Sequence, residues 1–577
     1  MKKLALILNK KEKIRLSILS IFGFLNSLAE SLSIAMIFPI LTFIFNKDKF
    51  EDDFLFFGFL NTYLNKFENN TLTPLVLLAL VYLFKSIFQL IFIWFQNQTS
   101  FEIEYNICKR VFKKFLRQDY QDTIKQNSSI IIEILNREVK NLGQCLIQIT
   151  NLILEITLIF ILIIILYLSF GTLVLKIFGL LILILFLIYV SIGKYFKNWG
   201  HQRHIFATKS LMNMFHGINS FKEIKLYKKE EFFINKYIDN LKKSLNFVVL
   251  MNTFSSIPRI IYEILFIALI FIYIYLQSKI GFNFEEKIPF LAFIAAAMIR
   301  ILPGLSRISS SISRITSYNV SIEKIHNIIS LQDIKNIYSH ESQKNSFEYI
   351  NFKEKVEIKN ITFKYAEQKE HIINNLNFII KRGDHIGLKG HTGSGKTTLV
   401  NLICGLINLE KGNVLIDGIN ISKIKNSWQK LIGYVPQKIF LMDDTIKNNI
   451  VFGDEGEQID EIKLNNAIKL SQCNDFIDKL PRKLDNIVGE NGALLSGGQI
   501  QRIGIARALY SNPKLLILDE ATNALDMNTE RKLLVNLTKS CSDQGITILT
   551  ISHKDNTLKY CDKVYELKDK KMNIIKI

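Results

Sequence analysis

The stretch GHTGSGKTT, Gly390 to Thr398, follows a strand-like run, HIGLKG, and opens the helix-like LVNLICGL. Gly390, Gly393 and Gly395 let main-chain N–H groups turn inward around phosphate oxygens, and the start of a helix adds partial positive charge. In this pattern Lys396 reaches the β and γ phosphates of a nucleoside triphosphate and the Thr397 hydroxyl ligates magnesium, with Ser394 and Thr398 completing the loop. The plainer reading, a glycine-rich strand-to-helix turn, loses weight when the chain is followed further. LLILDE gives four apolar residues of a buried strand that ends in Asp519 and Glu520. There Asp519 is placed to hold magnesium and Glu520 to polarise the attacking water, because hydrolysis needs a carboxylate just beyond the γ phosphate. An isolated Asp-Glu pair commonly caps a strand as two solvated acids. Its place downstream of a phosphate loop favours the chemical reading.

Such a site needs a sheet to carry it. From about residue 345 the chain alternates short β-like runs (VEIKNITFKY, NVLIDG, LLILDE, ITILTISH) with helical stretches, the texture of a soluble α/β P-loop domain. The preceding half reads differently. Apolar runs of the roughly 20 residues needed to cross a bilayer lie near 16–45, 73–96, 147–170, 171–196, 255–277 and 288–310, predicting six spans. The expected organisation is a helical membrane domain over 1–330, a polar linker over 331–350 and the nucleotide-binding domain over 351–577. Two long segments rich in Lys and Arg, about 97–146 and 197–254, have helical periodicity, so the spanning helices should continue beyond the bilayer. The positive-inside rule then puts the N-terminus, both long segments and the ATPase domain in the cytoplasm.

Composition agrees with a multi-pass membrane protein. The 577 residues are 49% hydrophobic with formal net charge +20, and mean hydropathy is +0.20. A nucleic-acid-binding ATPase would explain the charge but not six spans; excess Lys and Arg beside spans mark cytoplasmic loops facing anionic lipid. The six cysteines lie far apart with no paired spacing, which argues against a disulfide framework or a zinc site. The basic opening MKKLALILNKKEK has a short apolar run and no small-residue cleavage site, so no removable signal is expected.

LSGGQIQRIGIARALY, residues 495–510, resembles the signature of ABC-transporter ATPases, and YVPQ (ending at Gln437), NALD (523–526) and ISH (ending at His553) follow that family's order. The resemblance implies that Tyr365 stacks on adenine and that Gln437 touches magnesium and water. It implies that Ser496, Gly497, Gly498 and Gln499 close over ATP bound to another subunit, while His553 contacts the γ phosphate from its own. With one such domain and one set of spans, it implies a homodimer with two ATP–magnesium sites. Asn523 stands where the family usually has Ser, and Lys554 where Arg is commoner. Membrane part first and ATPase second is similar to the exporter branch, in which the turns near RQDYQDTIKQ and FHGINSFKEIK would carry motion to the spans.

Three cations sit where oil is expected: Lys85, Arg259 and Arg300. A charge at bilayer depth costs several kcal/mol, so it faces a wet cavity or a partner. They could read an anionic cargo group; alternatively they snorkel or pair with Glu30, Glu155 or Glu263. FEDDFLFFGFLNTYLNKF, residues 50–67, is amphipathic and too short to span, which fits a helix at the outer surface. That segment, with SIPRIIYE and RILPGLSRISSS, resembles bacterial flippases of lipid-linked oligosaccharides. The resemblance implies an undecaprenyl pyrophosphate glycan as cargo, membrane lipid around it, no nucleic acid, and a place in the bacterial inner membrane. A multidrug or lipid exporter of the same architecture is the alternative, and it makes no demand on Arg259 or Arg300.

Overall fold

A computed structural model describes residues 2–37, 40, 72–124, 128–170, 172–278, 284–330, 352–365, 368 and 370–575. The surface segment expected over 50–67 and the linker expected over 331–350 lie outside them. The chain forms two compact units: Met1–Gln118 with Gln126–Ile334, and Asp119–Lys125 with Lys335–Ile577.

The described residues of the first unit are almost wholly helical. A short α1 (Lys2–Ile7) precedes α2 (Lys10–Ala35), α3 (Leu72–Arg117), α5 (Ser128–Glu133), α6 (Val139–Phe170), α7 (Thr172–Asn219), α8 (Phe221–Tyr227), α9 (Glu230–Ser278) and α10 (Phe284–Ser330); α4 (Tyr120–Ile124) belongs to the second unit. Among the described residues each of the six longest helices overlaps one predicted span, although the run expected over 16–45 extends past the end of α2 into residues outside the described ones. Helix α3 leaves Leu80, Leu83, Phe84, Ile87, Leu90 and Trp94 exposed, a continuous apolar surface that water would penalise and lipid tolerates. Within the segment of helical periodicity expected over about 97–146, the structure inserts a π turn at Ile134–Glu138. The wider turn gathers Glu133, Arg137 and Glu138 against α7 and α10. There Thr208 donates to Glu133 at 2.9 Å, Ser321 to Glu138 at 2.5 Å and Lys324 to Glu133 at 3.0 Å. Two buried carboxylates are thereby partnered, which offsets the cost of the irregular turn.

The second unit has two sheets. One is antiparallel, in the order β2-β1-β4-β5, built from β1 (Lys355–Phe363), β2 (Ile373–Lys381), β4 (Lys411–Ile416) and β5 (Ile419–Asn420). The other runs β10-β9-β3-β8-β7-β6, with β3 (His385–Lys389), β6 (Ile432–Val435), β7 (Leu515–Asp519), β8 (Thr547–Ile551), β9 (Lys563–Lys568) and β10 (Lys571–Ile575). Strands β6, β7, β8, β3 and β9 are parallel neighbours. Every residue of β7 and β8 is buried, as expected of parallel strands covered on both faces. By contrast β2 alternates buried and exposed residues along INNLNFIIK, the mark of a half-covered strand. Trp428 fills the core beside Phe352, its indole N–H donating to Ile403 O at 2.8 Å.

His385 on β3 is 3% exposed, with Nε2 2.9 Å from Thr550 Oγ1 and Nδ1 3.3 Å from Thr538 Oγ1. Burial pushes it down to about 4, against the smaller opposing pull of Asp562. A base depressed in the fold binds fewer protons than the unfolded chain between about pH 6.5 and 4, so stability is lost as pH falls through that window, by about 1.4 kcal/mol per unit at most. The thermal midpoint of the full-length protein should therefore drop towards that of His385→Gln as pH is lowered from 7 to 5. A gap between the two that ignores pH would contradict this.

Candidate functional site

The phosphate loop leaves the end of β3 and runs into α11 (Lys396–Ile403), whose N-cap is Gly395. Gly395 has φ +98°, and a Cβ there would lie 2.8 Å from Ile372 Cγ2; both conformation and space require glycine. Gly393 differs in its reason. Its φ of +82° calls for glycine by conformation alone, since a Cβ there would meet no atom within 4 Å. Gly393 instead lies on the open side of the loop, where it lines a cavity of about 630 Å³ together with His391, Thr392 and Ser394. At Gly390 a Cβ would meet Ser394 Oγ at 2.7 Å and Leu567 O at 2.8 Å. Lys396 curls back over the loop, donating to Gly390 O at 2.6 Å and His391 O at 3.0 Å. Burial lowers its pKa, partly offset by the carboxylates of Glu520 and Asp519. Ser394 Oγ is buried without a partner among the described residues. A hydroxyl without a partner, a buried ammonium and a helix start around one concave turn fit a phosphate anion.

Asp519 ends β7 and Glu520 follows it, on a strand next to β8 and two from β3. Burial raises the Asp519 carboxyl, reinforced by the Glu520 charge, although Tyr434 Oη donates to its Oδ2 at 3.3 Å. Burial also pushes the Tyr434 phenol well up. Glu520 adopts φ +51°, a strained value for a non-glycine residue. That turn aims its carboxylate at three side chains. Gln437 Nε2 donates to Oε2 at 2.7 Å, Asn523 Nδ2 donates to the same oxygen at 3.1 Å, and His553 Nε2 lies 3.1 Å from Oε1. His553 Nε2 is also 3.3 Å from Lys396 Nζ. Lys396, His553, Glu520 and Gln437, scattered over more than 150 positions of sequence, thus meet in one linked group. Sequence reasoning treated Asn523 only as a departure in the NALD stretch and did not foresee its contact with Glu520. It also missed Tyr434 on Asp519; the clue was its place in YVPQ on a strand next to β7.

The remaining predicted residues are placed as follows. Tyr365 packs edge-on against Phe363, its hydroxyl 3.4 Å from Thr398 Oγ1. Ser496 caps α12 (Gly497–Tyr510), accepting from Gln499 N at 3.3 Å while its own N–H donates to Gln499 Oε1 at 2.8 Å. Added Cβ atoms at Gly497 and Gly498 would lie 3.2 Å from Ala524 and Leu525 side chains, so these glycines let the 523–526 loop sit close. Among the described residues no hydrogen bond joins Ser496–Gln499 to the phosphate loop. Lys425 donates to Asp119 at 3.2 Å, both within the second unit.

In the membrane unit, Arg300 is 17% exposed and bridges two carboxylates, donating to Glu30 at 2.6 Å and Glu155 at 3.2 Å. Lys85 lies 3.6 Å from Glu30. Arg259 pairs along its own helix with Glu263 at 2.7 Å. Glu155 also holds Arg307, which the sequence did not flag: Arg307 Nε donates to its Oε1 at 2.5 Å. Gly304 makes the approach possible, since a Cβ there would stand 2.9 Å from Glu155 Oε2. Beside this network is a cavity of about 480 Å³ lined by Asn26, Gln89, Gln96, Glu155, Arg300 and Arg307, among others. Lys85 and Arg259 are not in its wall.

Comparison with known proteins fits this layout. Residues 373–523 match the family described as ABC transporter. A solved structure entitled "Structure of a bacterial Atm1-family ABC exporter with ATP bound" superposes with a TM-score of 0.77 over 98% of this chain and 94% of that one, at 20% sequence identity. The chain has the fold of an ABC exporter. Its helical unit precedes the domain that carries the family match, and the loop and carboxylates above fit a nucleoside triphosphate with magnesium. The leukotoxin translocation ATP-binding protein LktB of Mannheimia haemolytica is 42% identical over 213 residues, which are 37% of this chain and 30% of that protein. The LktB of Bibersteinia trehalosi matches with the same figures. The chain therefore spans under a third of the length of these relatives.

Two substitutions separate binding from turnover in the ATPase domain. Lys396→Ala should weaken ATP binding by about tenfold or more, the loss of one charged hydrogen-bond donor. Glu520→Gln should keep ATP binding but cut phosphate release by about a hundredfold or more. Nucleotide titration and phosphate release on the full-length protein read both; an active Glu520→Gln would remove the glutamate from its assigned role.

Proposed function

We propose that the chain is one half of a homodimeric, ATP-driven exporter that turns a lipid-linked oligosaccharide, an undecaprenyl pyrophosphate glycan, across the bacterial inner membrane for glycoprotein or O-antigen assembly. The observation that carries the cargo reading is the charge balance beside the membrane cavity. Among the described residues Lys85, Arg300 and Arg307 face only Glu30 and Glu155, leaving one positive charge in excess. Arg307 is 47% exposed, and among the described residues its two terminal guanidinium nitrogens have no acceptor. A planar fork of free N–H donors suits a phosphate or pyrophosphate oxygen pair. An uncompensated cation inside a bilayer is costly, and an arriving anion offsets that cost. A cavity built for apolar drugs gains nothing from it.

In the ATPase domain the work of each residue follows from its position. Lys396 and the loop N–H groups hold the phosphates. Magnesium, when bound through Thr397 and Asp519 with Gln437 alongside, supplies positive charge that shields the phosphates and favours ionised Asp519. Glu520 orients the attacking water and accepts its proton, with His553 set between the carboxylate and Lys396. The partly exposed Ser496–Gln499 edge suits closure over a second copy's nucleotide, so that binding would join two copies and hydrolysis release them.

The test is ATP-dependent movement of a radiolabelled undecaprenyl pyrophosphate oligosaccharide in proteoliposomes. Wild type should flip it, Glu520→Gln should not, and Arg307→Ala should hydrolyse ATP yet flip at least about tenfold more slowly, the worth of a charged hydrogen bond. Arg307 is the better probe than Arg300: its loss leaves Glu155 still paired with Arg300, whereas removing Arg300 strips a buried bridge, a change that costs about 3–5 kcal/mol in comparable pairs. Wild-type protein that hydrolyses ATP without moving the glycolipid would leave an exporter of other cargo, with a drug, a lipid or a secreted protein next in line.

A further inference from the structure

We propose that Asn523 is a positioning residue for ATP hydrolysis, holding the Glu520 carboxylate in a shared clamp with Gln437. The reading goes beyond cargo and concerns the turnover step alone. Asn523 and Gln437 donate to one and the same oxygen, Glu520 Oε2, at 3.1 and 2.7 Å. The other oxygen, Oε1, faces His553 at 3.1 Å. With φ at +51° the glutamate backbone is strained, and a strained residue keeps its place only where its surroundings hold it. The two amides come from different directions. Gln437 follows β6, whereas Asn523 lies three residues after Glu520, and its main-chain N–H donates back to Glu520 O at 3.3 Å. The Asn523 amide therefore closes a local ring that fixes both the turn and the carboxylate.

The loop that carries Asn523 is itself anchored to the signature helix. Ala524 N–H donates to Gln501 Oε1 at 2.9 Å, and Ala524 and Leu525 pack on Gly497 and Gly498. Gln501 is buried. A shift of the signature helix would thus be felt by Asn523 and passed to Glu520 through one hydrogen bond. Serine at 523 has a hydroxyl one bond shorter and a single donor. Aspartate has no donor when ionised and sets a like charge against Glu520.

The test uses the purified full-length protein and steady-state ATP hydrolysis, with no cargo required. Asn523→Ala should lower kcat by about tenfold, the worth of one hydrogen bond to a charged group, with the KM for ATP changed less than twofold. Asn523→Asp should fall further, and Asn523→Gln, which keeps the amide, should recover part of the loss. In a double-mutant cycle with Gln437→Ala the two losses should not add, because both amides serve one oxygen. In a Glu520→Gln background Asn523→Ala should have no further effect on the residual rate. The proposal is overturned by a kcat for Asn523→Ala within twofold of wild type, by an equal loss in the Glu520→Gln background, or by a change confined to KM and the unfolding temperature. Wild type without ATPase activity would defeat this proposal and the transport reading together. Active wild type with an indifferent Asn523→Ala would defeat this one only.

Discussion

The ATPase unit is organised around a single ammonium group. Lys396 has to be buried enough to act strongly on phosphate and close enough to a base that hydrolysis can follow, and both conditions are met by where β3, β7 and β8 end. The parallel order places Gly390, Asp519 and the segment after Ile551 on one edge of the sheet. Strand burial on both faces makes that edge rigid, so the loop carbonyls, His553 and Glu520 are held within hydrogen-bond reach of one another. The strain at Glu520 and the buried hydroxyl of Ser394 are local costs of the arrangement. They are sustained because the apolar core beneath is continuous from Val356 to Leu567.

The membrane unit meets the opposite demand. There the surrounding medium rejects charge, yet Glu30, Glu155, Lys85, Arg300 and Arg307 sit on helices that carry predicted spans. Pairing answers most of the cost, with Arg300 shared between two carboxylates and Gly304 clearing the space for the approach. A buried network of this kind is poor evidence for stability, since apolar side chains of equal volume would often serve as well or better. The network lies beside a cavity of about 480 Å³ rather than in a sealed core. The same physics recurs around the π turn at Ile134–Glu138, where Glu133 and Glu138 are answered by Lys324, Ser321 and Thr208. That second cluster reads as a tie among three long helices.

Much of this was legible in the residues themselves. Long apolar runs specify helices in lipid because a backbone without water has to satisfy its own hydrogen bonds. Continuous apolar strands bounded by glycine and acids specify a buried parallel sheet, and the spacing in Gly390–Thr398 specifies a phosphate loop because few other backbones turn N–H groups inward. What the linear order could not decide was partnership. Arg300 read as cargo ligand or ion pair equally well until Glu30 and Glu155, 270 and 145 positions away, were seen to hold it. Arg307 drew no notice because a cation in a serine-rich helical stretch looks solvated. Asn523 looked like a tolerated exchange until the turn at Glu520 brought its amide onto the carboxylate. Periodicity and motif spacing are properties of neighbours along the chain, so sequence determines them; charge pairing and hydrogen bonding act over about 3 Å between residues that only the tertiary fold brings together.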